Sequence, residues 1–176
     1  MKRKTYAISL RPDEALFAAI GHLKTILLDE YYEDMYLLII HACGYESPLE
    51  KKEAETKLKS CGMLGQVQEH SLIAFAAPLI TEYDNSSFRL DAQKHFGGTN
   101  LMAFKTENDW DLESDVFGYE LIGTRRLLKP ILGVQPLGED MTHGDIWEPD
   151  TPFEQLCFDR AIASSESQGE LVVIDN

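Results

Sequence analysis

Five acids hold every odd position of the segment Glu-Asn-Asp-Trp-Asp-Leu-Glu-Ser-Asp: Glu107, Asp109, Asp111, Glu113 and Asp115. In an extended chain such residues share a face at intervals of roughly 6.7 Å, which makes one row of carboxylates about 27 Å long. Like charges at that spacing repel, so an ordered row requires a cation, a basic protein surface or water to compensate it. Carboxylates spaced in this way can accept Arg and Lys from a groove that normally receives phosphates, and an acidic protein can occlude a nuclease by that means. Both tryptophans lie among acids, Trp110 in Asp-Trp-Asp and Trp147 in Asp-Ile-Trp-Glu-Pro-Asp. Aromatic anchors ringed by charge are typical of the residues that dominate interface energetics. The predicted partner-binding set is therefore Glu107, Asp109, Trp110, Asp111, Glu113 and Asp115, together with Asp145, Trp147, Glu148 and Asp150.

Two further chemistries fit parts of the same residues. With Asp109 as the first of twelve positions, Asp111 is third, Glu113 fifth, Asp115 seventh and Glu120 twelfth, and the segment 109–120 resembles an EF-hand loop. The resemblance implies a calcium ion held by those carboxylates, although Ser114 takes the sixth position, where the family has glycine. Separately, His143-Gly144-Asp145-Ile146-Trp147, followed by Asp150 and later by Val173-Ile174-Asp175, resembles the catalytic loop of aminoglycoside phosphotransferases and fructosamine kinases. That resemblance implies that Asp145 orients an acceptor hydroxyl and that Asp175 holds magnesium. Asp150 stands where the family has asparagine, and the first half of the chain carries no glycine-rich phosphate loop.

Other constellations read as structural. His41 and Cys43 share one face of an apolar run and are predicted to pack in the core. His22, His70 and His95 show no ligand spacing, and no G-x-S-x-G elbow is present. No cofactor and no metal are expected.

The charge of −14 is unevenly spread. Residues 1–100 hold 11 Lys/Arg against 14 Asp/Glu, whereas residues 101–176 hold 5 against 16, a net of −11. A field of that sign repels phosphates and anionic lipid and attracts basic partners, which argues against direct nucleic-acid or membrane binding. Cys43, Cys61 and Cys157 form no C-x-x-C pair and are expected as reduced thiols. Met-Lys-Arg-Lys imitates the start of a signal peptide, but Arg11, Pro12, Asp13 and Glu14 interrupt the apolar stretch that follows, so a cytoplasmic location is expected.

The elements that must position these residues are read from periodicity and capping. Alternation over 5–10 predicts a first strand, and Pro12, Asp13 and Glu14 ahead of Leu16, Ile20, Leu23 and Leu27 predict a helix near 12–30. Residues 35–43 form a continuous apolar run ending at Gly44, as in a buried central strand. Ser47-Pro48-Leu49-Glu50 is a capping box, with Gly62 placed to end its helix, and Thr151-Pro152-Phe153-Glu154 repeats the box for a helix over 152–164. Strands are expected over 72–83 around Pro78, at 88–90, 101–104, 116–122 and 171–174, with a turn at Gly97-Gly98 and a short helix over 124–128. Residues 133–152, rich in Gly and Pro, read as a long irregular connection.

The fold expected is a single α+β domain over 1–176, a mixed or mainly antiparallel sheet of five to seven strands packed with about three helices. The function expected is that of a non-enzymatic acidic binding protein. Its concrete form is an inhibitor of the bacterial immunity-protein or antitoxin type, which neutralises a basic toxin or nuclease by electrostatic docking. The alternatives are a calcium-dependent protein using 109–120 and a small enzyme using the His143-Gly144-Asp145 loop.

Overall fold

Ser9 and His41 are polar residues in apolar strands, and both are almost fully buried. The sheet that contains them is covered on two faces, which is why residues 6–10 are all buried although the sequence alternates. The computed structural model describes residues 3–136 and 143–166. The expected strand over 171–174 and Asp175 lie outside them.

Six strands form one mixed sheet in the order β2-β5-β4-β3-β1-β6. They are β1 (Lys4–Leu10), β2 (Thr25–Leu28), β3 (Met35–Ala42), β4 (Ser71–Glu82), β5 (Phe117–Leu132) and β6 (Ile146–Trp147). β1 runs parallel to β3, and the other pairs are antiparallel. The helices are α1 (Pro12–Ala19), α2 (Pro48–Ser60), α3 (Asn85–Leu90), α4 (Leu101–Glu107) and α5 (Pro152–Glu166). This is the α+β class that the sequence predicts.

The two-residue period of a strand sorts the core into two layers. Ile8, Leu10, Leu38 and Ile40 join Leu16 and Phe17 of α1 and Leu58 of α2 on one face. Ala7, Ile39, Leu72 and Phe75 join Trp147 and, from α5, Phe158 and Ala161 on the other. A third, smaller cluster of Tyr83, Phe88, Leu101 and Val116 seats α3 and α4 beside β2. No helix among the described residues is long and apolar enough to cross a membrane.

Four expectations are corrected. The helix predicted over 12–30 ends at Ala19, because Gly21 takes φ +78° and closes a Schellman motif, with Gly21 N–H bonded to Ala18 O and His22 N–H to Phe17 O. Beyond it Thr25-Ile26-Leu27-Leu28 pairs with β5 as a strand, as its branched residues favour. The segments 88–90 and 101–104 are helical, since Asp84 and Asn100 cap them by accepting from the N–H groups of Ser87 and Ala103. The helix expected over 124–128 is part of β5, where Arg125 and Arg126 pair with Phe75 and Ala74 of β4 between two register shifts. Pro78 stays inside β4, because β3 pairs β4 only over 71–76 and the missing N–H costs no second ladder bond.

The Thr151 capping box closes as expected, Glu154 N–H and Thr151 N–H exchanging bonds with Thr151 Oγ1 and Glu154 Oε2, whereas the Ser47 box forms only its first half: Ser47 accepts from Glu50 N–H, and Glu50 Oε2 accepts from Glu46 N–H rather than from Ser47 N–H. Gly62, at φ +70°, ends α2 with a second Schellman pair.

The buried polar residues form one chain. Trp147 Nε1–H donates to Ser9 Oγ (3.0 Å), Ser9 lies 2.9 Å from His41 Nδ1, and His41 Nε2 lies 2.8 Å from Val134 O. A carbonyl only accepts, so Nε2 carries the imidazole proton and Ser9 Oγ–H donates to Nδ1. Burial holds the His41 pKa down to about 4. The unfolded chain therefore takes up this proton as pH falls below about 6.5 while the folded chain does not, and stability falls by about 1.4 kcal/mol per unit, roughly 3 kcal/mol in all by pH 4. His95, lowered by burial, adds a slope of the same sign, and His143, raised, opposes it. Urea titrations between pH 7 and 5 should show less acid destabilisation in His41→Gln than in the parent chain, and identical slopes would contradict a neutral buried His41.

Candidate functional site

The connection after residue 142 is strapped to β1. Gly144 N–H donates to Ser9 O (2.7 Å), Ser9 N–H donates to Asp145 O (2.9 Å), and Ile146 and Trp147 pair with Ile8 and Ala7. This brings His143 against the first turn of α1, where its Nε2 bonds Glu14 Oε2 across 129 residues of sequence. Arg11 sits beside them. Its guanidinium grips Asp13 through two bonds of 2.6 and 2.8 Å and approaches Glu14 and Glu50.

Asp13 is fully buried, and Lys57 Nζ supplies a second cation at 3.6 Å. Burial pushes the Asp13 carboxyl up, but the Arg11 bonds and the two positive charges outweigh it and hold the pKa below the usual carboxylate range. Glu14 is likewise pushed up by burial and brought below its ordinary value by His143 and Arg11. Burial is the largest single effect on His143 and lowers it, but the bond to Glu14 and the charges of Glu14 and Glu50 together outweigh burial and Arg11 and raise its pKa above the ordinary imidazole value.

A cleft of about 450 Å³ opens between this cluster and α4. Glu14, His143, Gly144 and Asp145 line one side, and Phe104, Asn108 and Trp110 line the other. Leu10, Leu23, Phe96 and residues of β2 complete its lining. Phe96 is placed by Gly97, where a Cβ would come within 2.7–2.9 Å of Leu27, Phe88 and Phe104.

The acidic segment is not an extended row. Glu107 closes α4, Asp109 takes φ +56°, and the chain then turns over 112–114 before β5. The reason lies beneath it. Lys105, buried, donates from Nζ to the carbonyls of Leu112 (2.9 Å) and Ser114 (2.5 Å), while Asp111 accepts from Glu113 N–H. Carbonyls turned inward leave the carboxylates of Glu107, Asp109, Asp111, Glu113 and Asp115 outside and exposed. None of the five makes a salt bridge among those found in the described residues.

Of the predicted binding residues, Trp110 and Asp145 line the same cleft. Trp147 is only 6% exposed and packs against His41 and Phe158, so it is a core residue rather than an anchor. Glu148 is exposed and paired with Lys4, and Asp150 N–H belongs to the α5 cap. The calcium geometry does not form, because Glu120 lies within β5, bonded to Lys94, and no group of three His, Cys, Asp or Glu that could hold a metal ion occurs among the described residues. Sequence reasoning missed Glu14, Asp29 and Phe96 as cleft residues, since Asp13 and Glu14 look like ordinary helix-start acids.

No family model matches the sequence, and no curated protein matches it. The crystal structure of ASCH from Zymomonas mobilis has a similar fold, with a TM-score of 0.56 and 14% identity, covering 90% of this chain and 96% of that one. Two mutant forms of the Zymomonas protein match at TM-score 0.48 and 16% identity over 74% of this chain and 75% and 76% of theirs. At these identities the likeness concerns the fold.

Replacing Lys105 by Met should unfold the acidic turn, since two carbonyls lose a charged donor. We expect a loss of about 2 kcal/mol in denaturant titrations and faster amide exchange over 109–115. An unchanged midpoint would show that Lys105 does not shape the turn.

Proposed function

We propose that this chain is a non-enzymatic acidic binding protein that docks a basic protein partner on the 107–115 turn and the adjoining cleft. Its concrete form is an inhibitor of the immunity-protein or antitoxin type, acting in the cytoplasm on a basic toxin or nuclease. The observation that carries this reading is the set of five exposed carboxylates on one folded turn, held outward by Lys105 and placed beside a concave site. Clustered like charge costs free energy in the unbound protein, and a basic partner relieves that cost on docking while the field speeds encounter.

Two further features support it. The Ser9–His41 pair, which has the composition of a nucleophile and base, is sealed in the core and committed to Trp147 and Val134. Cys43, Cys61 and Cys157 are free thiols, as suits a reducing compartment.

Charge reversal tests the reading. The triple substitution Asp109→Lys, Asp111→Lys, Glu113→Lys, at exposed positions, should lower the association rate of an isolated basic partner by about 10- to 100-fold at low salt and flatten its dependence on ionic strength. An association rate equal to that of the parent chain would refute docking on this turn.

A further inference from the structure

His95 is 2% exposed, and both of its ring nitrogens are committed. Gly97 N–H donates to Nδ1 (3.2 Å), and Nε2 lies 3.1 Å from the Phe88 carbonyl oxygen. The two partners fix one tautomer from opposite sides, since an N–H only donates and a carbonyl only accepts: Nδ1 is bare and Nε2 carries the proton. The ring lies 4.3 Å from that of Phe88 and edge-on to Tyr83 at 5.7 Å, and these two belong to the cluster that seats α3 and α4. The same segment ties that unit to the sheet. Lys94 O accepts from Lys24 N–H and Thr25 N–H (2.9 Å each) at the start of β2, while Gly97 leaves no room for a Cβ among Leu27, Phe88 and Phe104.

A proton on Nδ1 sets donor against donor at Gly97. At His41 the Ser9 hydroxyl can rotate and accept instead, but a backbone N–H cannot become an acceptor. The charged and titratable groups around the His95 ring give no relief. Asp91, whose charge favours the imidazolium, already accepts from the Tyr83 hydroxyl (2.9 Å) and pairs with Lys94 (3.5 Å), which also holds Glu120 of β5 (3.3 Å). Burial outweighs Asp91 and the Phe88 bond and keeps the His95 pKa below its ordinary value of 6.5. We propose that His95 is an acid-operated catch: on taking a proton it lets go of Gly97 and releases α3 and α4, with the 107–115 turn that follows them, while the rest of the sheet stays folded. The closed state requires the neutral ring, so the catch is fully set above pH 6.5, and the equilibrium constant for opening rises by up to about tenfold per pH unit below it until the folded-state pKa is reached. On the docking reading above, acid thereby dismantles the receiving surface, but the catch itself does not depend on that reading.

The two tryptophans report on the two parts, Trp110 against Phe104 of α4 and Trp147 in the core beside His41. The test is an NMR titration of the full chain from about pH 7 to about pH 4. The Trp110 indole and the α3 and α4 amides should change in one step, with the midpoint of the His95 ring protons and at a higher pH than any change at Trp147. His95→Asn, whose amide oxygen still accepts from Gly97 N–H and which has no proton to gain, should abolish that step. Changes at Trp110 and Trp147 that coincide, a Trp110 step displaced from the His95 midpoint, no step at all, or a step that survives His95→Asn would each overturn the proposal. The first three readings use the parent chain, so they decide the matter even where His95→Asn fails to fold.

Discussion

The hydrogen-bonded chain from the Trp147 indole through Ser9 and His41 to the Val134 carbonyl joins β1, β3, β6 and the end of the β5 connection inside the core. Each member leaves a buried partner unsatisfied if removed, so the chain fixes where β6 can lie against β1. That placement sets the 143–145 turn beside α1, because Ser9 also bonds both Gly144 and Asp145 through its backbone. One wall of the cleft follows from it.

The second constraint is electrostatic. Arg11, Asp13 and Lys57 tie the start of α1 to α2 with a fully buried carboxylate at the centre. Such a pair adds little net stability over an apolar substitute, but loss of either partner strands a charge, so it specifies geometry. Glu14, one residue further on, is presented to the cleft and to His143 in a single orientation. The opposite wall depends on Lys105, whose bonds to two carbonyls fold the acidic turn and leave Trp110 against Phe104 at the cleft edge (ring centroids 5.0 Å apart).

Much of the scaffold was legible in the sequence. The apolar run at 35–43 became the buried strand β3, and the two Ser/Thr-Pro-x-Glu boxes began α2 and α5 where their cap chemistry places them. The errors share a cause. The period-two acids suggested an extended row, yet Asn100 caps a helix whose Lys105 reorganises them, a contact that no local period encodes. Leu16, Ile20, Leu23 and Leu27 fit one helical face, but Gly21 in the left-handed region ended the helix first. The cleft was half visible. Trp110 and Asp145 were singled out separately, whereas Glu14 and His143 acquire their meaning only from a contact across 129 residues.

In the docking proposed above, the acidic turn and the cleft form one receiving surface for a basic partner. Cross-saturation NMR from a bound basic partner maps that surface directly. Docking on that surface predicts loss of amide intensity at 109–115 together with His143, Gly144 and the Trp110 indole, and none along the exposed face of α2. A footprint on α2, or one that touches the turn and leaves the cleft untouched, would contradict it.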